Sequence, residues 1–194
     1  MMVARDSAGA VQGPGKNVWV SELVKPLGAG VSHLRAPMPT VDDVAPRCAE
    51  LIWQVPAGYG VYEGKLRLKG IGRGLCAAFG LWGRRESDVL EERLTEEEFS
   101  AEFNFDGTPL QFVKHDAYKG AKIPAGQVQR FKGVNFRRTL HFRLDWRPGE
   151  VRFEVWDNHG GRWSATFPSA PAGVQCFRFW LWRQDEEAER DASM

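Results

Sequence analysis

Apolar and polar residues alternate with a period of two along most of the chain, and a helical period is almost absent. In Leu140-His141-Phe142-Arg143-Leu144-Asp145-Trp146, the Leu, Phe, Leu and Trp side chains share one face and His, Arg and Asp the other. That is the signature of a strand buried on one side. Val151, Phe153 and Val155 alternate in the same way with Arg152 and Glu154, beyond the turn residues Arg147-Pro148-Gly149-Glu150, so Leu140 to Asp157 reads as a hairpin. Further strands are expected at Val18 to Val24, Cys48 to Val55, Tyr59 to Leu68, Leu75 to Trp82, Phe99 to Phe105, Leu110 to Lys114, Arg162 to Phe167 and Gln175 to Trp182. Each is bounded by Gly, Pro or charged turn residues. Between Pro26 and Pro46 the glycines and prolines predict a long irregular connection, with at most one helical turn near Asp42-Asp43. Thr95-Glu96-Glu97-Glu98 reads as a solvated loop, with one capped helical turn as the alternative. Short antiparallel strands at this spacing predict an all-β fold, an antiparallel β-sandwich or jelly roll.

Composition narrows the picture. At 194 residues the chain is long enough for one domain with a substantial core. The expected organisation is a disordered Gly/Pro-rich leader over 1–16, a single β-domain over 17–183 and an acidic tail over 184–194. With 26 Lys+Arg against 25 Asp+Glu, the net charge is +1, and no basic surface of the kind nucleic acid or anionic lipid requires is expected. The opening MMVARDSAGAVQGPGKN has no apolar stretch of signal-peptide type and no run reaches membrane-spanning length, so neither an export address nor a membrane partner is expected. Cys48, Cys76 and Cys176 are widely spaced without a CxxC and read as buried free thiols. Eight tryptophans are enough to serve a sugar-stacking surface as well as a core. A monomer is expected.

The candidate chemistry lies in Glu86-Ser87-Asp88-Val89-Leu90-Glu91, three carboxylates in six residues. On a strand Glu86 and Asp88 point the same way, and Glu91 joins them if one extra residue bulges out near Val89-Leu90. Two glutamates around an aspartate suit retaining glycoside hydrolysis, which needs a nucleophile, a proton donor and an acid tuning both. Other catalytic patterns fail. There is no Gly-x-Ser-x-Gly elbow, Gly13-Pro14-Gly15-Lys16-Asn17 lacks the phosphate-loop spacing, and His33, His115, His141 and His159 have no metal-ligand spacing.

Several stretches, in order, resemble glycoside hydrolase family 16, the β-jelly-roll glucanases of concanavalin A-like fold. Cys48-Ala49-Glu50 followed by Tyr59-Gly60-Val61-Tyr62-Glu63 is similar to the family's paired strands "GEYRS…YGYYEVRMK". Leu75 to Trp82 resembles the strand leading into the catalytic one, and Phe103-Asn104-Phe105 resembles its "FNY" strand. His141 to Phe153 is similar to "HTYAFDWQPG.IKWYVDG", and Phe179-Trp180-Leu181-Trp182 stands where the family has "NLW". The family motif is Glu-aliphatic-Asp-hydrophobic-Glu, or the same with one extra residue before the last Glu, and ESDVLE has the longer spacing. The resemblance implies Glu86 as nucleophile, Asp88 as assisting acid and Glu91 as acid/base. It also implies Glu50, Tyr59, Trp82, Asn104, Trp146 and Trp182 as candidate groove residues, although Tyr59, Trp146 and Trp182 each suit a core better than a sugar platform. The implied partner is a polysaccharide or oligosaccharide, with no cofactor. A structural calcium ion occurs in some members, but no ligand set for it is recognisable. Family members usually work outside the cell. Ser87 departs from the motif, since an aliphatic residue belongs there.

Three functions follow from these residues: a retaining endo-glycosidase of β-glucan-type polysaccharide, a lectin-like protein of the same fold that binds sugar without turnover, and a structural β-sandwich in which the acids only protect a sheet edge.

Overall fold

The structure is a computed structural model and describes residues 2–9, 11–12, 17–38, 45–53, 57–69, 74–83, 98–104, 110–115, 127–169 and 175–183. The strands are β1 (Met2–Ala4), β2 (Val11–Gln12), β3 (Asn17–Trp19), β4 (Val24–Gly28), β5 (Val31–Leu34), β6 (Arg47–Trp53), β7 (Gly60–Leu66) and β8 (Leu75–Gly83). They continue with β9 (Glu98–Asn104), β10 (Leu110–His115), β11 (Val128–Phe131), β12 (Leu140–Arg147), β13 (Gly149–Asp157), β14 (Arg162–Ser169) and β15 (Gln175–Arg183). Among the described residues they form a large sheet ordered β11-β10-β9-β8-β15-β6-β3-β2, with β1 also on β6, a smaller sheet ordered β14-β13-β12-β7, and the ribbon β4-β5. The expected all-β sandwich is the observed fold. Its pairings are antiparallel except for β3 on β6.

The two main sheets close on one apolar core. Phe79 and Leu81 of β8, Phe99 and Phe103 of β9 and Phe112 of β10 meet Phe142 and Leu144 of β12 and Phe153 and Val155 of β13. Alternation sends the intervening residues of the large sheet to its other face, where Cys48, Cys76, Ala78, Trp180 and Trp182 bury themselves with Trp19 in a second cluster. All three cysteines are free and buried. Burial pushes the Cys48 thiol up to about 12.

The expected hairpin is present, with β12 and β13 in register from Leu140↔Asp157 to Arg147↔Glu150. Pro148 and Gly149 make the tight connection, and Gly149 has the positive φ of 85° that a glycine tolerates without strain. Asp157 ends β13 by accepting the backbone N–H groups of His159 and Gly161 and a guanidinium N–H of Arg138 at 2.8 Å. The Arg138 bond, followed by those two backbone donors, holds the Asp157 carboxyl down at about 2. A carboxyl lowered on folding stabilises the native state above its unfolded value and loses that contribution as the pH falls through its folded value. Stability is therefore expected to fall between about pH 4 and pH 2. Asp157→Asn should lower the Tm at neutral pH and flatten this acid loss, as read from thermal melts across that window. An unchanged acid slope would contradict the assignment.

Three expectations are corrected. Residues 2–9 and 11–12 are not a disordered leader. β1 pairs with β6, Arg5 N–H donates to the Glu50 carbonyl, and the Trp19 N–H donates to Ser7 Oγ. Val18 to Val24 is not one strand, because β3 runs parallel beside β6 and the chain then turns through a 3-10 helix at Ser21–Leu23 into β4. The connection after Pro26 holds the β4-β5 ribbon, turned by Gly28, Ala29 and Gly30, all at positive φ. Pro26 is accommodated at a register shift in a two-stranded ribbon, where few ladder bonds are lost. The four-residue edge strand β11 escaped the reading altogether. Asp42-Asp43, 95–97 and the tail over 184–194 lie outside the described residues.

Candidate functional site

The site builds on β9, which lies inside the large sheet with β8 on one edge and β10 on the other. Phe99, Ala101 and Phe103 are buried in the intersheet core, so the strand is anchored by its odd positions. Ser100 and Glu102 point to the opposite face. The register is regular on both sides. Ser100 lies between Gly80 of β8 and Val113 of β10, and Glu102 between Ala78 and Gln111. Ser100 Oγ donates to Glu102 Oε1 at 3.0 Å, and Gln111 Nε2 donates to Glu102 Oε2 at 2.6 Å. The half-buried Glu102 is thus held by its own strand and by the neighbouring one.

The row through Glu102 continues across the sheet through Ala78 and Trp180 to Glu50. Small residues on β8, Cys76, Ala78 and Gly80, separate the tryptophans of β15 from the polar residues of β9. Gly80 is required by the close approach of β8 to β9, since a Cβ there would collide with the Phe99 carbonyl oxygen.

Glu50 occupies the same face but is fully buried. Its Oε1 accepts from Arg178 at 2.9 Å and its Oε2 from Arg5 at 2.8 Å, while Arg5 also lies 5.0 Å from the Trp19 ring. The groove role expected of Glu50 is corrected to that of a buried ionic tie between β6, β15 and the N-terminal segment. Removing one member of such a tie leaves a buried charge poorly compensated. Glu50→Gln is expected to destabilise the protein by about 3 kcal/mol or more, as measured by denaturant unfolding. A change within ~0.5 kcal/mol would contradict this role.

The other expected site residues separate. The alternation of β12 turns Trp146 into the intersheet core. Tyr59 meets it edge-on at 4.9 Å and is 58% exposed at the start of β7, on the smaller sheet rather than beside Glu102. Trp182 is buried in the second cluster on the face of β15 that Trp180 also occupies. Trp82 is placed by its backbone across from Cys176, and Asn104 across from Cys76. Glu86, Asp88 and Glu91 lie outside the described residues. Glu98, the first residue of β9, takes the register position across from His115, two before Ser100 and four before Glu102. The sequence reading passed over this strand as a site, although the signal was available: Glu98-Phe99-Ser100-Ala101-Glu102 has the shorter motif spacing with Ser in the place of Asp. Among the described residues no group of three or more His, Cys, Asp or Glu side chains could hold a metal ion.

No family model and no curated protein matches the sequence. Solved structures do match in fold. The Bacillus licheniformis β-glucanase superposes with a TM-score of 0.68 at 18% identity, covering 97% of this chain and 81% of that one. A Bacteroides ovatus family 16 glycoside hydrolase from a mixed linkage glucan locus, solved with a G4G4G3G product, has a TM-score of 0.61 at 12% identity over 95% of this chain and 81% of that one. A family 16 glycosyl hydrolase from Mycobacterium smegmatis has a TM-score of 0.59 at 17% identity over 93% and 79%. The architecture is thus that of the glucanase-type β-sandwiches. More particularly, it is the glycoside hydrolase family 16 fold that the sequence resembles.

Proposed function

We propose that the protein is a retaining endo-glycosidase acting on β-glucan-type polysaccharide by double displacement between two glutamates. The observation that most supports this reading is the likeness in fold to a β-glucanase over 97% of the chain. Two acid rows are available for the chemistry. The longer motif spacing nominates Glu86 as nucleophile, Asp88 as assisting acid and Glu91 as acid/base, and β9 offers Glu98 and Glu102 as a second pair. The test is release of reducing ends from a β-1,3- or β-1,3-1,4-glucan by the pure protein. Inertness on a broad polysaccharide panel would overturn the reading.

A second reading is favoured by one specific feature, the serine at the centre of the β9 row. Without an acid between its glutamates, that row suits a lectin-like protein that binds glycan and does not cleave it. Saturable binding to the same glucans with no reducing ends released would decide for this alternative.

A further inference from the structure

We propose that the β4-β5 ribbon docks on an anionic lipid bilayer, with Leu27 and Val31 entering the interface and Lys25 and Arg35 meeting the headgroups. This inference is independent of the glycosidase reading and uses none of the residues in either acid row.

The first observation is how the ribbon stands off the body. Among the described residues β4 and β5 pair only with each other. Their base is packed, since Val24 and Leu34 belong to a cluster with Leu23, Ala49 and Leu51. Beneath the outer part lies an open hollow lined by Ala4, Pro26, Val31 and Leu51, so the tip is not packed down on the sheet.

The second observation is the tip itself. Leu27 and Val31 are 58% and 53% exposed, and Gly28, Ala29 and Gly30 turn the chain between them at positive φ. From Leu27 to Val31 no side chain is polar or charged. Single exposed apolar residues are ordinary, but two held at one tight turn make a small wedge. Leu27 is the extra residue where the register shifts between Pro26 and Gly28. Pro26 has no N–H to be left without a partner as the ribbon leaves water.

The third observation is charge. No acid stands between Glu22 and Asp42. Lys25 faces His33 across the ribbon, Arg35 follows two residues later on the same face, and all three are exposed. At about 3.4 Å per residue, the Lys25-His33 pair lies roughly 7 Å behind Leu27 and Val31. Interfacial elements sink their apolar side ~5–10 Å into the boundary of headgroups and acyl chains. With the tip at that depth, the cations stand level with the lipid phosphates and His33 adds a hydrogen-bond donor. The net charge of +1 sums the whole chain and does not record this local excess.

The two features together select the occupant. An apolar groove on a protein would accept the tip but has no use for an acid-free cationic collar. An acidic polymer in solution would use the collar and leave the tip in water. An anionic bilayer takes up both, since its surface potential attracts the cations and its interface receives the apolar residues.

The experiment measures sedimentation of the full chain with vesicles of phosphatidylcholine, alone or in a three-to-one mixture with phosphatidylserine. Each Lys or Arg near an anionic surface contributes about fivefold in affinity, so the mixed vesicles should bind at least about tenfold more tightly. Lys25→Glu should remove most of that preference. Leu27→Ser combined with Val31→Ser should weaken binding by about tenfold or more without changing the Tm, because both side chains are exposed. The native thiols are buried, so an environment-sensitive dye coupled to Leu27→Cys reports on the tip. Its emission should shift to the blue on mixed vesicles, whereas the same dye on Thr166→Cys, exposed on the outer face of β14, should not shift. No binding to either vesicle, equal binding to both, or a Leu27→Cys dye that keeps its aqueous emission on bound protein would overturn the proposal.

Discussion

Glu102→Gln should lower the rate of glucan hydrolysis by about 10²- to 10⁴-fold, the range supplied by a positioned general acid and base, while the protein stays folded. The amide keeps the shape of the side chain and can still accept the Ser100 hydroxyl 3.0 Å away. It carries no proton that could be given to a leaving oxygen. Because Glu102 is half-buried on the face opposite the core, the exchange removes no intersheet packing. Steady-state rates on a β-1,3-1,4-glucan, with a thermal melt as control, separate the two effects. A folded variant with full activity would remove Glu102 from the chemistry.

The largest stability effect is expected at Phe79. This ring is fully buried at the centre of β8 and stands 4.2 Å from Phe142 of the facing sheet, centroid to centroid, with Phe103, Phe153, Phe177 and Phe179 between 6.2 and 6.5 Å. Phe79→Ala removes the shared neighbour of rings from both sheets, and flanking strands bonded on both edges cannot close the gap. A cost of about 3–5 kcal/mol follows, which for a domain of this size corresponds to a fall in Tm of roughly 10 °C. A loss below about 1 kcal/mol would mean that the two sheets do not meet there. The site depends on this packing, since Phe99 and Phe103, which set the parity of β9, belong to the same cluster.

Most of this architecture is legible in the sequence, for a physical reason. Wherever a strand is buried on one side, as in β12 and β13, burial writes itself into the chain as alternation, and Pro148-Gly149 marks the turn. The β4-β5 ribbon is not legible because its residues are mostly exposed, so no alternation is imposed on them, and Pro26 reads as a breaker. Strand β1 and the residues just after it owe their order to partners remote in the chain, Leu51 to Trp53 for β1 and Glu50 for Arg5. Glu50 itself looked like a groove acid because nothing near it reveals Arg178, 128 residues away.

The acid row illustrates the same limit. Phe99, Ala101 and Phe103 announce a half-buried strand, and Glu98 and Glu102 stand at the motif spacing. The serine between them hides the match, whereas ESDVLE carries the expected aspartate and draws attention first. Which strand lies beside β8 is a property of pairs of strands, and single-chain alternation does not encode it.

The central claim is that this β-sandwich cleaves β-glucan with retention of configuration. The most direct test follows the anomeric proton of the first-formed product by NMR during digestion of a β-1,3-1,4-glucan, before mutarotation mixes the anomers. The account predicts the β-anomer first, with the α-anomer appearing later at the rate of mutarotation. An α-anomer formed first, or a glucan left intact by the pure protein, would contradict it.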